Sequence, residues 1–326
     1  MSNSVLNRSI ALTIFLLLAV AVSALALRGR YVGVRAGKPD ANYLQSTDCK
    51  ICHEDHFASW RRTHHSRMTQ DISPATVQGD FERNNTLEFL GVKASMQRRG
   101  NSYYIDLSHP DGQDESFKIE RTIGSRRVEQ YVTQENGQYL RLPLAYDLVN
   151  QRWISLNGSF FYPDGDNFDQ HLASWDQNCV FCHNVKAQPN FNFQTRLAKT
   201  EVSELGIACG ACHAQGAEHA ELAASPITRA IWHLGSEGTK KIIDPLELDT
   251  DRAMMICGHC HGQRVPEPAE RIREIMASGD PFDAGEDLSR FYRPVHKETT
   301  IGDVSFASRF WPDGSPRLTA YEYQGI

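Results

Sequence analysis

Hydrophobic and polar positions alternate along the chain in three different ways. From Ile10 to Leu27 the sequence is uncharged and almost wholly apolar for 18 residues, with Arg8 ahead of it and Ala24-Leu25-Ala26 as a small-residue cleavage site. That is the pattern of a secretory signal, and its length also suits a single membrane anchor. From about Thr86 to Tyr162 the period is two. Ser102–Leu107, Phe117–Glu120, Val128–Val132 and Tyr139–Leu144 alternate like strands, and His109-Pro110-Asp111-Gly112, Gly124-Ser125 and Glu135-Asn136-Gly137 separate them as turns. This predicts four to six antiparallel strands.

Elsewhere the pattern is helical or irregular. Short helices are expected over Asp55–Met68, Ala214–Ala224 and Glu270–Met276, and another over Asp249–Cys257 with Asp249 or Thr250 as its N-cap. Val265–Gly314 is rich in Pro, Gly and charge and reads as loops. The expected class is therefore α+β: a mainly helical or irregular core with an antiparallel β insert. The expected segments are 1–27 (signal peptide or N-terminal membrane anchor), 28–80, the β-rich 81–165, 166–265, and a loop-rich 266–326.

The formal charge is −6 and nothing in the chain is strongly basic, so nucleic acid is excluded as a partner class.

Cysteine placement changes the picture most. All 8 cysteines fall in four copies of one motif, Cys-x-x-Cys-His: Cys49/Cys52/His53, Cys179/Cys182/His183, Cys209/Cys212/His213 and Cys257/Cys260/His261. This is the attachment sequence of c-type haem. Two intervening residues let both thiols reach one porphyrin edge as thioethers. The adjacent histidine then supplies the proximal nitrogen to iron. A zinc ribbon uses two Cys-x-x-Cys knuckles per metal and has no need of a histidine after each. A redox dithiol would be expected once, and a disulfide framework would not repeat one local spacing. The cofactor expected is haem c, four copies, covalently attached. Its attachment takes place outside the cytoplasm in bacteria, which agrees with the N-terminal pattern. The location expected is periplasmic or otherwise extracytoplasmic, with possible anchoring to the inner membrane.

Of the 13 histidines, His53, His183, His213 and His261 are the proximal set. His56, His64, His65, His109, His171, His219, His233, His259 and His296 remain. Two axial histidines give a low-spin iron suited to electron transfer. His64 and His65 lie beyond Trp60 on an expected helix. His219 follows the third motif too closely to cap the same iron and could serve a neighbour. His171, His233 and His296 are further distal candidates. His259 lies inside a motif and should point away from its own iron. His109 sits in a turn and is expected to face solvent. Met68 is a possible ligand, and Met254 and Met255 read as packing.

The stretch from Cys49 through Trp60 to His65 resembles the opening of multihaem cytochromes related to cytochrome c-554. There a Trp and then Ser/Thr-x-His follow the first motif, and that last histidine is a distal ligand. The resemblance implies His65 rather than His64, and likewise His219, as distal ligands. Trp175–His183, Cys209–His219 and Ile243-Asp244-Pro245 followed by Cys257–His261 are similar to later blocks, and Gly124–Tyr131 resembles a strand-rich insert of some relatives. In many relatives a block like Phe310–Arg317 leads into a further haem motif. The resemblance thus implies a longer protein, of which this chain, ending at Ile326, would be a part.

Two functions fit. One is an electron carrier working between redox partner proteins through closely packed, mostly bis-histidine haems. The other is an oxidoreductase with one open-coordination haem acting on nitrite, hydroxylamine or nitric oxide. No catalytic residue is legible, and the carrier is the expected role.

Overall fold

The computed structural model describes residue 13 and residues 40–156, 173–177, 179–235 and 240–315. The apolar stretch Ile10–Leu27, Thr13 apart, and His171 lie outside the described residues. Among the described residues no helix is long and apolar enough to cross a membrane.

Two short helices come first, α1 (Ser46–Cys49) and α2 (Glu54–Trp60). A nine-stranded antiparallel sheet follows. Its strands are β1 (Thr69–Asp71), β2 (Thr86–Phe89), β3 (Val92–Arg99), β4 (Ser102–Ser108), β5 (Glu115–Ile123), β6 (Val128–Glu135), β7 (Gln138–Asp147), β8 (Arg152–Ser155) and β9 (Ala173–Ser174). Strands β2 to β8 form a meander, each pairing with the next. β1 continues the β4 edge of β5, and β9 continues the β8 edge of β7. Register shifts between Ile119 and Arg121 and between Gln130 and Val132 bend the central strands. β2 and β8, the two ends of the meander, touch, so the sheet curls into a near-barrel.

The inside of this curl holds the main core. Met96, Ile105, Leu107, Ile119, Tyr131, Leu142 and Leu144 are fully buried, and Phe81, Tyr131 and Trp153 pack with ring centres 5.0–5.4 Å apart. The alternation along β4 reads directly in this burial: Tyr103, Ile105 and Leu107 point in, and Ser102, Tyr104 and Asp106 do not. Asn136 and Gly137 take positive φ (49° and 80°) in the two-residue turn between β6 and β7, which is why Asn-Gly stands there.

The mainly helical expectation is corrected: the antiparallel sheet is the largest element, and the helices are short. They are α3 (Val180–His183), α4 (Cys209–His213), α5 (Ala217–Ala223), α6 (Pro226–His233), α7 (Thr250–His261) and α8 (Ile272–Ser278). The reason lies in the motifs. One turn of helix puts Cys, Cys and His on a single side, so the segments around them need no long helix. Small antiparallel pairs brace these segments: β10 (Asn184–Val185) with β11 (Glu204–Leu205), and β12 (Arg264–Pro266) with β13 (Tyr292–Pro294). Asp249 caps α7 by accepting from Arg252 N at 2.9 Å, as expected, and the helix runs on through the fourth motif. Asp55–Met68 is not one helix. It ends at Trp60, and a 3₁₀ turn over His65–Arg67 follows. His109 is not solvent-facing but half-buried, 3.1 Å from Glu115. The β-branch and turn pattern holds it in the sheet.

One carboxylate is fully buried in the sheet. Glu129 accepts from the backbone N–H groups of Gln78 (3.0 Å) and Gly79 (3.1 Å) and from the Tyr131 hydroxyl (2.6 Å). Burial raises its pKa above the ordinary value, and these hydrogen bonds only partly oppose that. The folded chain therefore holds this proton more tightly than the unfolded chain. Its contribution to stability is full below the ordinary Glu range and is lost as pH rises through the raised value. Denaturant midpoints across that window are expected to fall with pH for this group. The Glu129→Gln chain should show a flatter profile; an unchanged slope would contradict the assignment.

Candidate functional site

The four Cys-x-x-Cys-His motifs form one cluster beside the sheet. The first packs on the third. Cys209 N donates to Ser46 Oγ (3.2 Å), Trp60 Nε1 donates to the Ile207 carbonyl (2.8 Å), and Ile207 N donates to the His65 carbonyl (3.0 Å). A Cβ on Gly210 would stand 2.9 Å from the Tyr43 ring, so glycine lets α4 seat directly on Tyr43. The Cys49 thiol donates to the Cys209 sulfur. This bond holds the Cys49 thiol up and brings Cys209 down to about 6.

The second motif pairs with the fourth in the same way. Cys260 donates to Cys182, raising the one and lowering the other. Cys212 and Cys257 face each other between the third and fourth motifs. The four motifs are thus contiguous in the order first, third, fourth, second.

The second motif is also fixed to the sheet. Trp175, fully buried, packs with Ile123, Val132, Val180 and Ala187, and its ring centre is 5.4 Å from that of Tyr139. Arg121 lies over both rings, at 3.9 Å from Tyr139 and 4.6 Å from Trp175. The segment after the first motif reaches the same sheet where Gly124 N donates to the Met68 carbonyl (2.9 Å) and His64 Nδ1 meets Ser125 Oγ (3.2 Å).

Histidine rings meet across the cluster. His53 and His219 have ring centres 6.2 Å apart with planes at 26°. His65 and His261 are 6.3 Å apart with planes at 62°. A metal held by one nitrogen of each ring, with bonds of about 2 Å and ring centres roughly 1.1 Å behind each nitrogen, separates the centres by roughly 6 Å. Backbone carbonyls orient several of these rings. His219 Nδ1 lies 2.7 Å from the Lys240 oxygen and His213 Nδ1 2.8 Å from the Ile243 oxygen, which leaves Nε2 of each for another partner. Trp232 stacks on His219 at 5.3 Å with planes at 6°. Burial lowers the pKa of His53, His65 and His183, with neighbouring histidines adding to the effect for the first two. Neutral rings with a free lone pair are what a metal needs.

His53 also has the His56 ring at 6.0 Å, edge-on. His56 follows three residues later in the same chain segment, so it lies on the proximal side of anything attached at Cys49 and Cys52. His259 points away from its own motif, toward Asp280 at 2.8 Å. His233 and His296 are exposed, and neither ring is paired with a proximal histidine among the described residues.

The donor set suits covalent haem. Every motif has its thiols and its imidazole on one turn, and two ring pairs stand at an N–metal–N spacing. The Nε groups of Arg67 and Arg264 are buried without a hydrogen-bond acceptor, as is Nδ1 of His183. Haem propionates are acceptors of the kind the two arginines lack. Sequence reasoning missed Arg264, Asp280, Trp232 and the two backbone carbonyls. Carbonyl partners leave no trace in residue type, and the other three stand outside any motif spacing.

Residues 48–97 match the family model described as "Cytochrome c554 and c-prime". The match takes in the first motif and His65, a shorter span than the resemblance read from the sequence. No curated protein matches the chain. Among solved structures, the chain is similar to the outer cell wall cytochrome OcwA at 17% identity and a TM-score of 0.49, over 83% of this chain and 48% of that one. It is also similar to an undecahaem cytochrome from the S-layer of Carboxydothermus ferrireducens, at 17% identity and a TM-score of 0.33, over 83% of this chain and 39% of that one. The chain therefore spans about half the length of the first and about two fifths of the second.

Proposed function

We propose that this chain is a multihaem c-type cytochrome that carries four covalent haems and passes electrons between redox partner proteins outside the cytoplasm. The observation that carries the reading is the pair of histidine couples at 6.2 Å and 6.3 Å, each joining a proximal histidine of one motif to a histidine from another part of the chain. Cys49/Cys52, Cys179/Cys182, Cys209/Cys212 and Cys257/Cys260 hold the porphyrin edges. His53, His183, His213 and His261 are the proximal ligands. His219 is the distal ligand opposite His53, and His65 the distal ligand opposite His261. When bound, the haem supplies one-electron chemistry at iron.

The protein's own work is positional. Four contiguous motifs set four cofactors side by side, and the Lys240 and Ile243 carbonyls fix ring orientation. The sheet anchors the segments that bear the first and second motifs. The extracytoplasmic location rests on the Ile10–Leu27 pattern and on where this attachment chemistry is done.

Nitric oxide added to the oxidised protein tests the carrier role. Unchanged low-spin signals are expected. A high-spin iron of about one per chain that shifts with nitric oxide or nitrite would replace the carrier with an enzyme acting on small nitrogen compounds.

A further inference from the structure

Arg264 is the strongest buried charge of the cluster that ligation does not use. It follows the fourth motif by three residues, in β12. Its guanidinium lies 4.7 Å from the Tyr292 ring centre and 3.8 Å from Asp280, and its side chain is 13% exposed. Asp280 is closer to His259, at 2.8 Å, and His259 sits within the fourth motif itself. His259 in turn stacks on Phe282 at 4.7 Å. The group is thus a guanidinium and an imidazole sharing one carboxylate, all walled by Phe282 and Tyr292.

The position of this group relative to the motifs is specific. His259 Nδ1 is 3.6 Å from Cys260 Sγ, and Cys260 is the thiol that meets Cys182. The Arg264 charge acts on both sulfurs, favouring the thiolate at each. Whatever is bonded to Cys182 and Cys260 therefore sits in the field of this arginine. Burial keeps Asp280 ionised only with help: desolvation pushes its pKa up, and His259 and Arg264 more than reverse that. Arg264 and Asp280 are both fixed charges.

From this placement we infer that Arg264 is a tuning residue that raises the reduction potential of the haems at the second and fourth motifs relative to those at the first and third. Adding an electron to a haem is favoured by a nearby positive charge, and in a dry site that influence is weakly screened. Electrons shared within the cluster would then favour its second–fourth end. The inference rests on the proposed haem attachment.

The test is a spectropotentiometric titration of the full matured chain, with haem per chain counted on the same sample. In Arg264→Gln, two of the four potentials should fall and the other two should stay. Arg264→Lys keeps the charge and should restore part of the wild-type position, which guards against a purely structural effect. Asp280→Asn should move the same two potentials upward. Arg152→Gln removes a charge from the exposed end of β8 and should move none. Potentials that all shift together in Arg264→Gln, or that do not shift at all, would overturn the tuning role while leaving the haem reading intact. A wild-type chain without covalent haem would overturn both.

Discussion

Replacing His219 by alanine is expected to leave every haem attached and to turn one iron per chain from low to high spin. Attachment depends on the cysteines, and His219 belongs to none of the four motifs. Its ring faces His53 at 6.2 Å with planes only 26° apart, whereas His65 faces His261 at 6.3 Å with planes at 62°. Near-parallel axial rings give an ordinary rhombic low-spin EPR signal. Strongly inclined rings bring the iron orbitals closer in energy and give a signal with a much larger maximum g value. His219→Ala should therefore remove a rhombic signal, and His65→Ala one of the large-g type. Each variant should gain a high-spin signal of about one iron. Loss of the same signal in both variants, or of none in either, would contradict the ligand pairs.

Changing Cys209 and Cys212 together to serine should lower the haem content from four to three and interrupt the cluster at its middle. The third motif joins the first, through Cys49 and Cys209, to the fourth, through Cys212 and Cys257. Serine keeps the size of the side chain and the hydrogen bond from Cys209 N to Ser46, so the fold should survive. Intact mass checks the haem count. Electron exchange between the first haem and the other two, followed after a laser flash, should slow greatly. By contrast, the Cys179→Ser/Cys182→Ser chain removes the end of the cluster and should leave exchange among the remaining three unchanged. Equal slowing in both variants would contradict the order first, third, fourth, second.

The strands between Ser102 and Leu144 were legible because their apolar residues alternate and Asn136-Gly137 leaves little choice of turn. β3 was not: Lys93, Ser95, Gln97, Arg98 and Arg99 mask the inward Val92, Ala94 and Met96. β1 and β9 are too short to show a period, and they join the sheet only by continuing edges left by other strands. Helix α6 was missed although Ser225 and Pro226 are a start signal. Its Ser225 Oγ does accept from Thr228 N, at 3.3 Å. The motifs announced themselves because a thioether and its iron ligand need fixed local spacing. The facing of His219 to His53 spans 166 residues of chain, and no local pattern carries it; the likeness to known cytochromes suggested His219 as a ligand but not its partner.

Intact-mass spectrometry of the matured chain, read with its reduced visible spectrum, tests the central claim most directly. Four haem masses that survive denaturation, with the absorption bands of c-type haem, are the predicted result. Fewer than four, or eight free thiols in a chain that binds zinc instead, would contradict it.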